Sequence, residues 1–348
     1  MTRNGSAQLT RANHFVPQAL LRNWSSDKTT IYTYALLVPH SGVRLWEPKP
    51  IRGTAVRRDL YTTLEEGRES DEMERWLTEN FETPGLKAID HVVSRKKILN
   101  RDWHDLARFY ALQEFRTPSA LEGFKKRWDE WLEKLIEDTL HRAVAELALR
   151  KSSGKSPEVA TENPSKSKWF SPALKVEVSE RNEESYLGAS VISGRALWMH
   201  AIDSLMDGSR TLSKLLSFKW SIMRPASGME WLLSDHPTLR VNFNQGGLPS
   251  FEGGVGQMGT ALFLPVAPEY ALFAQVGERH PRHFEASRAT TQFFNELLVG
   301  RAFRSVYARK PVDWVPQFRP RFVNQAVVAS ERDAWAGWHS ANRAAEMT

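Results

Sequence analysis

The chain contains no cysteine. Disulfide frameworks and thiolate metal sites are therefore excluded, and the absence fits a reducing compartment. No apolar run is long enough to cross a bilayer, so no membrane span is expected. The opening Met1-Thr2-Arg3-Asn4-Gly5-Ser6 leads into no hydrophobic stretch. No export signal is expected there, and the expectation is a cytoplasmic protein. Internal repeats and low-complexity tracts are also missing. The glycine-rich stretch from Gly246 to Gly259 lacks the lysine pattern of a phosphate loop, which leaves a nucleotide loop unsupported. No Gly-x-Ser-x-Gly surrounds Ser234, so serine-based acyl transfer is disfavoured.

What remains is an ordinary globular composition. The 348 residues are 41% hydrophobic and 25% charged, enough to bury a sizeable core in one large domain or two. The net charge of +6 favours polyanions such as nucleic acid as partners. The basic residues are scattered, however: Arg57-Arg58, Arg95-Lys96-Lys97 and Lys125-Lys126-Arg127 lie far apart.

Residues 29–37 are β-branched and aromatic and predict a strand, with Val43 to Trp46 as a returning partner and Pro48 and Pro50 opening an irregular crossing. Asp71, Glu72 and Glu74 crowd the first turn of a predicted helix, and Thr83-Pro84 restarts it. Glu82 sits at that joint, placed either to cap the second helix or to take part in chemistry. Asn100 caps a third helix, and a long amphipathic helix is predicted from Pro118 to about Arg150. The polar segment up to Ser167 predicts an exposed loop, and a further helical region spans about 183–207. His200 and Asp203 lie one turn apart there, a spacing that can face one metal if other ligands join them. Phe218–Met223 and Glu230–Ser234 predict a hairpin; Thr260–Val266 and Tyr270–Ala274 predict two more strands. A helix from about Ala286 to Ala302 and a strand over Ser305–Ala308 follow.

Certain polar residues fall in unexpected places. His14 precedes a short helix opened by Pro17, where the missing proline N–H costs nothing. Gln113 lies on the apolar stripe of Trp103, Leu106 and Tyr110, so its amide needs partners. Arg116 follows one turn later, beside the Thr117-Pro118 break, suited either to clamp an anion or to pair with Glu82 or Glu114. Asp235 and His236 end a strand. Asn295 sits between Phe294 and Leu298.

Three short segments run in a telling order: His14-Phe15-Val16-Pro17-Gln18 with Leu21-Arg22-Asn23-Trp24; Leu112-Gln113-Glu114-Phe115-Arg116-Thr117-Pro118; and Ser234-Asp235-His236-Pro237. Together they resemble a large, mostly bacterial family, domain of unknown function 4238, over roughly residues 12–308. The resemblance implies no settled activity. It implies one domain over 12–308, with acidic residues in the Glu82 region, and leaves 309–348 as a C-terminal extension.

Strands at both ends with helices between predict an α+β fold. Its mainly antiparallel sheet comes from the N- and C-terminal parts, around a helical insert over about 70–217. On that arrangement His14, Gln113, Arg116, Asp235 and Asn295 are expected to converge as catalytic or binding residues. His14, Asp235, His236 and Glu82 are the candidate ligands of a divalent cation such as Mg²⁺ or Mn²⁺. The expected chemistry is metal-assisted, nuclease-like hydrolysis of nucleic acid or a phosphorylated ligand. The alternative is a non-catalytic binding or sensor component of a bacterial defence or toxin system. A purely structural polar network is the competing explanation of the same residues.

Overall fold

The computed structural model describes residues 9–65, 67–128, 134, 137–138, 141, 174–181, 184–191, 194–203, 209–243, 247–251 and 254–347. Its class is α+β, and its sheets are mainly antiparallel. A four-stranded sheet orders Leu233–Ser234, Ser305–Ala308, Thr30–Ala35 and Trp46–Pro50. The early strand thus pairs with the late one, Tyr34 opposite Val306 and Thr33 opposite Tyr307. Trp46–Pro50 pairs with Thr30–Ala35 and forms the outer strand, a place where Pro48 and Pro50 are tolerated because no further ladder needs their N–H groups. The expected irregular crossing is therefore an edge strand.

A second sheet of six strands orders Pro249–Ser250, Leu239–Phe243, Ala261–Ala267, Tyr270–Gln275, Ser221–Arg224 and His283–Glu285. Ala261–Ala267 and Tyr270–Gln275 form the hairpin at its centre, and its register slips between Pro265 and Ala267. Pro265 lies beyond the part of the strand that pairs with Leu239–Val241, so no ladder bond is forfeited.

The expected hairpin between residues 218–223 and 230–234 does not form. Ser221–Arg224 pairs with Tyr270–Gln275, while Leu233–Ser234 joins the other sheet. The intervening Trp231 is buried, with its indole N–H on the Met223 carbonyl, so this side chain plugs the gap between sheets. A second correction concerns 184–191. Leu174–Arg181 and Glu184–Val191 form an antiparallel hairpin, and helix begins only at Gly194. Leu174, Val176 and Val178 alternate with Lys175, Glu177 and Ser179, the period of two of the partner strand with which 184–191 pairs. Helix runs through 118–128; most of the expected continuation to Arg150, the polar loop after it, and the His200 and Asp203 side chains lie outside the described residues.

The helices pack closely. Helix Thr83–Val93 crosses helix Asn100–Phe115 at Gly85, where an added Cβ would lie 2.5 Å from the Phe109 Cβ. The Thr83-Pro84 joint is not a break. The backbone stays helical and widens into a π turn over Thr78–Glu82, which accommodates the proline without a donor. The core draws on both halves of the chain: one cluster reaches from Phe15 and Trp24 to Tyr307 and Trp338, and the other from Tyr34 to Val315. Residues 309–347 are packed into this body, with Val315 and Trp338 buried. Helix Gln325–Glu346 gives Glu346 to the buried Arg195 in a two-toothed ion pair at 2.7 and 2.5 Å, and Glu331 to Arg304.

Candidate anion-binding cavity

The first motif sits on a short strand, Ala12–His14, paired with Val56–Arg58. Pro17 then leads into helix Gln18–Leu21, whose Leu20 and Leu21 are buried. The His14 ring is half-buried, and its Nε2–H donates to the Arg52 carbonyl at 3.2 Å. Burial lowers its pKa. What His14 gives to the rest of the constellation is its backbone carbonyl, which accepts from Arg116 Nη2 at 2.6 Å.

Arg116 is fully buried. Its Nη1 donates to Glu82 Oε2 at 2.6 Å, and Nε donates to the Tyr61 hydroxyl at 3.3 Å. The Tyr61 hydroxyl in turn donates to the Arg116 carbonyl at 2.7 Å. Glu82 therefore answers the arginine instead of capping the helix, and no side-chain cap bond is present at that position. Glu74 lies 3.8 Å from the same guanidinium, but its buried Oε2 accepts no hydrogen bond. Burial pushes the Glu74 carboxyl up to about 7, Arg116 pulls against this, and Glu82 and Asp71 add to it.

Gln113 is buried as the apolar stripe requires, but neither amide atom has a hydrogen-bond partner in the protein. The expected bond to backbone or to the His14 region is absent. The carbonyl of His14 is taken by Arg116, whose guanidinium reaches it instead.

Asp235 is a fold-holding carboxylate. Oδ1 accepts the Phe303 N–H at 2.8 Å and Oδ2 the Arg304 N–H at 2.7 Å, which pins the turn between helix Arg288–Arg301 and strand Ser305–Ala308. Burial raises its carboxyl to about 6, against these two bonds. Asn295 works similarly: its Oδ1 accepts the Leu232 N–H and its Nδ2 donates to the Glu230 carbonyl, both at 2.9 Å. A side-chain amide here mimics a strand neighbour.

His236 faces a different direction. Its Nδ1 lies 3.2 Å from Thr117 Oγ1, and its Nε2 lies 3.2 Å from Arg301 Nη2. The Thr117 hydroxyl also accepts the Ala120 N–H, capping the helix that Pro118 opens. Both ring nitrogens are thus engaged. Burial lowers the imidazole to about 4, with Arg301 pushing the same way.

The expected single pocket is not what these positions form. His14, Arg116 and Glu82 meet in one network, and His236 links Thr117, the neighbour of Arg116, to Arg301. Asn295 instead lines a separate cavity of about 230 Å³ with Trp231 and Trp314. Among the described residues, no three His, Asp or Glu side chains gather where they could hold a metal ion. For His14, Asp235, His236 and Glu82 the reason is visible: their donor atoms point to Arg52, to two backbone amides, to Thr117 and Arg301, and to Arg116.

A larger cavity, about 630 Å³, opens beside His236. Among the described residues, Lys126, Arg127, Arg240 and Arg301 line it, against the single carboxylate of Glu114. Glu114 accepts from the Thr238 hydroxyl at 2.7 Å and stands 3.7 Å from Arg240. The Arg240 Nε is buried without a hydrogen bond. Arg301 stacks over Phe251 at 4.4 Å and has no carboxylate in ion-pair contact among the described residues. Burial lowers the Arg301 pKa, and Arg240 and Arg127 lower it further by like-charge repulsion, while Glu114 opposes. Such mutual repulsion among cations around one hollow is relieved by an anion.

Sequence reasoning missed this grouping of cations. Lys126 and Arg127 stand out only as one of three scattered basic runs, and Arg240 and Arg301 are not singled out. Only the fold brings them together.

The second and third motifs both border this cavity, through Glu114 and Phe115 and through His236, and the first braces Arg116 next to Thr117. The chain belongs to the family described as Protein of unknown function (DUF4238), whose model matches residues 12–311. No curated protein and no solved structure matches the chain.

Proposed function

We propose that the chain binds a multiply charged, phosphate-bearing ligand, a nucleotide or a nucleic-acid end, in the cavity beside His236. The observation that carries this is the excess of cations: among the described residues, four basic side chains stand against one carboxylate around about 630 Å³, within the usual size of a ligand pocket. Two guanidiniums are largely withdrawn from water, and arginine forks suit phosphate oxygens. Phe115, Phe124 and Phe251 add apolar and aromatic surface for the organic part of such a ligand.

Calorimetric titration with ADP, tripolyphosphate and a short single-stranded oligonucleotide tests the reading. Binding should weaken as salt rises, and Arg301→Ala should weaken it about tenfold or more. Wild-type protein that ignores all three probes would overturn it. The same mixtures with Mg²⁺ or Mn²⁺, separated for products, test the hydrolytic expectation. Intact ligand after prolonged incubation would leave a binding protein.

A further inference from the structure

Arginine has only N–H donors at its guanidinium and no acceptor. A contact of 3.2 Å between Arg301 Nη2 and His236 Nε2 is therefore a hydrogen bond only if Nε2 carries a lone pair. The proton of a neutral ring then sits on Nδ1, where Thr117 Oγ1 at 3.2 Å accepts it. Thr117 is itself held by the Ala120 N–H, and its place is set by the Pro118 helix start. His236 is almost completely buried, and its own N–H is within 3.3 Å of Ser234 Oγ, which donates to the His236 carbonyl. The ring has no freedom to turn away.

We propose that His236 is a positioning residue: as the Nδ1–H tautomer it accepts from Arg301 and fixes that guanidinium over Phe251, facing the cavity. This rests on the binding reading above and adds to it a reason why the cation is aimed. Without an acceptor at Nε2, Arg301 would be repelled by Arg240 and Arg127 and would swing toward solvent. The chain of contacts also carries placement from the second motif (Thr117) through the third (His236) to Arg301.

Two measurements decide it. The first needs no ligand. Long-range ¹H–¹⁵N spectra of histidine-labelled protein at neutral pH, with the His236 signals assigned by their loss in His236→Leu, should show the proton on Nδ1. A proton on Nε2, or a doubly protonated ring, would overturn the proposal. The second is a double-mutant cycle read as ADP affinity. His236→Leu should lose about tenfold, Arg301→Ala at least as much, and the double variant no more than Arg301→Ala alone. His236→Gln, which can offer an oxygen near the Nε2 position, should stay within about threefold of wild type. Independent, multiplying losses would show that the histidine does not act through Arg301. Should wild type bind no probe, the binding reading falls, and the tautomer alone decides the contact.

Discussion

Glu74→Gln should stabilise the protein at neutral pH. The Glu74 carboxyl is raised from an ordinary 4.5 to about 7, chiefly by burial, and its buried Oε2 accepts no hydrogen bond. The folded state therefore holds the Glu74 proton more tightly than the unfolded state does. Below about pH 4.5 both states are protonated and the residue is neutral in effect. As pH rises from there to about 7 the unfolded chain ionises first, and stability falls. Above 7 the full cost remains. At 1.36 kcal/mol per pKa unit, the ceiling is about 3 kcal/mol. Glutamine keeps the shape without the charge, and Arg116 retains Glu82 at 2.6 Å. Urea unfolding of both proteins at pH 4.5, 6 and 8 gives the test. The two should nearly coincide at pH 4.5, and the variant should lead by about 1–3 kcal/mol at pH 8. Parallel profiles, or a variant weaker than wild type at pH 8, would show that Glu74 is needed as a carboxylate beside Arg116.

Two further substitutions test packing. Gly85→Ala raises helix propensity by about 1 kcal/mol, yet its methyl would meet Phe109 Cβ, Cδ2 and Cγ at 2.5–2.7 Å. A net loss of about 1–3 kcal/mol is expected in thermal or urea unfolding, and an unchanged or higher midpoint would mean the two helices separate freely. Gln113→Leu should be within about 1 kcal/mol of wild type or more stable, because no protein group loses a partner; a loss above about 2 kcal/mol would reveal a bond this geometry lacks.

Element types were largely legible in the sequence. The strands at 30–35, 261–267, 270–275 and 305–308 and the helix at 288–301 carry plain periodic patterns. Partners were legible only in part. Nothing local distinguishes Leu233–Ser234 pairing back to its neighbour from pairing with Ser305–Ala308; the choice is made by where Trp231 can be buried. The polar anomalies were recognisable as anomalies, since a charge or amide on an apolar stripe must be answered. Their answers were not, because Asp235 and Asn295 bond to backbone amides supplied by segments sixty or more residues away. Of the cavity cations, Lys126 and Arg127 showed only as a short basic run, and Arg240 and Arg301 had no local signal. A basic residue at a helix end and one on a strand look like solvated surface until the fold sets them face to face.

The final helix has a bearing on how this chain could be shortened. The family match stops at residue 311, but the helix Gln325–Glu346 lies beyond it. Cutting there would strip Arg195 of its only carboxylate among the described residues, and of its contacts with Asn342 and His339 on the same helix. The cut would also uncover the apolar surface that Trp338 of this helix buries in the core. The last thirty-odd residues thus behave as a counter-ion the rest of the chain carries with it.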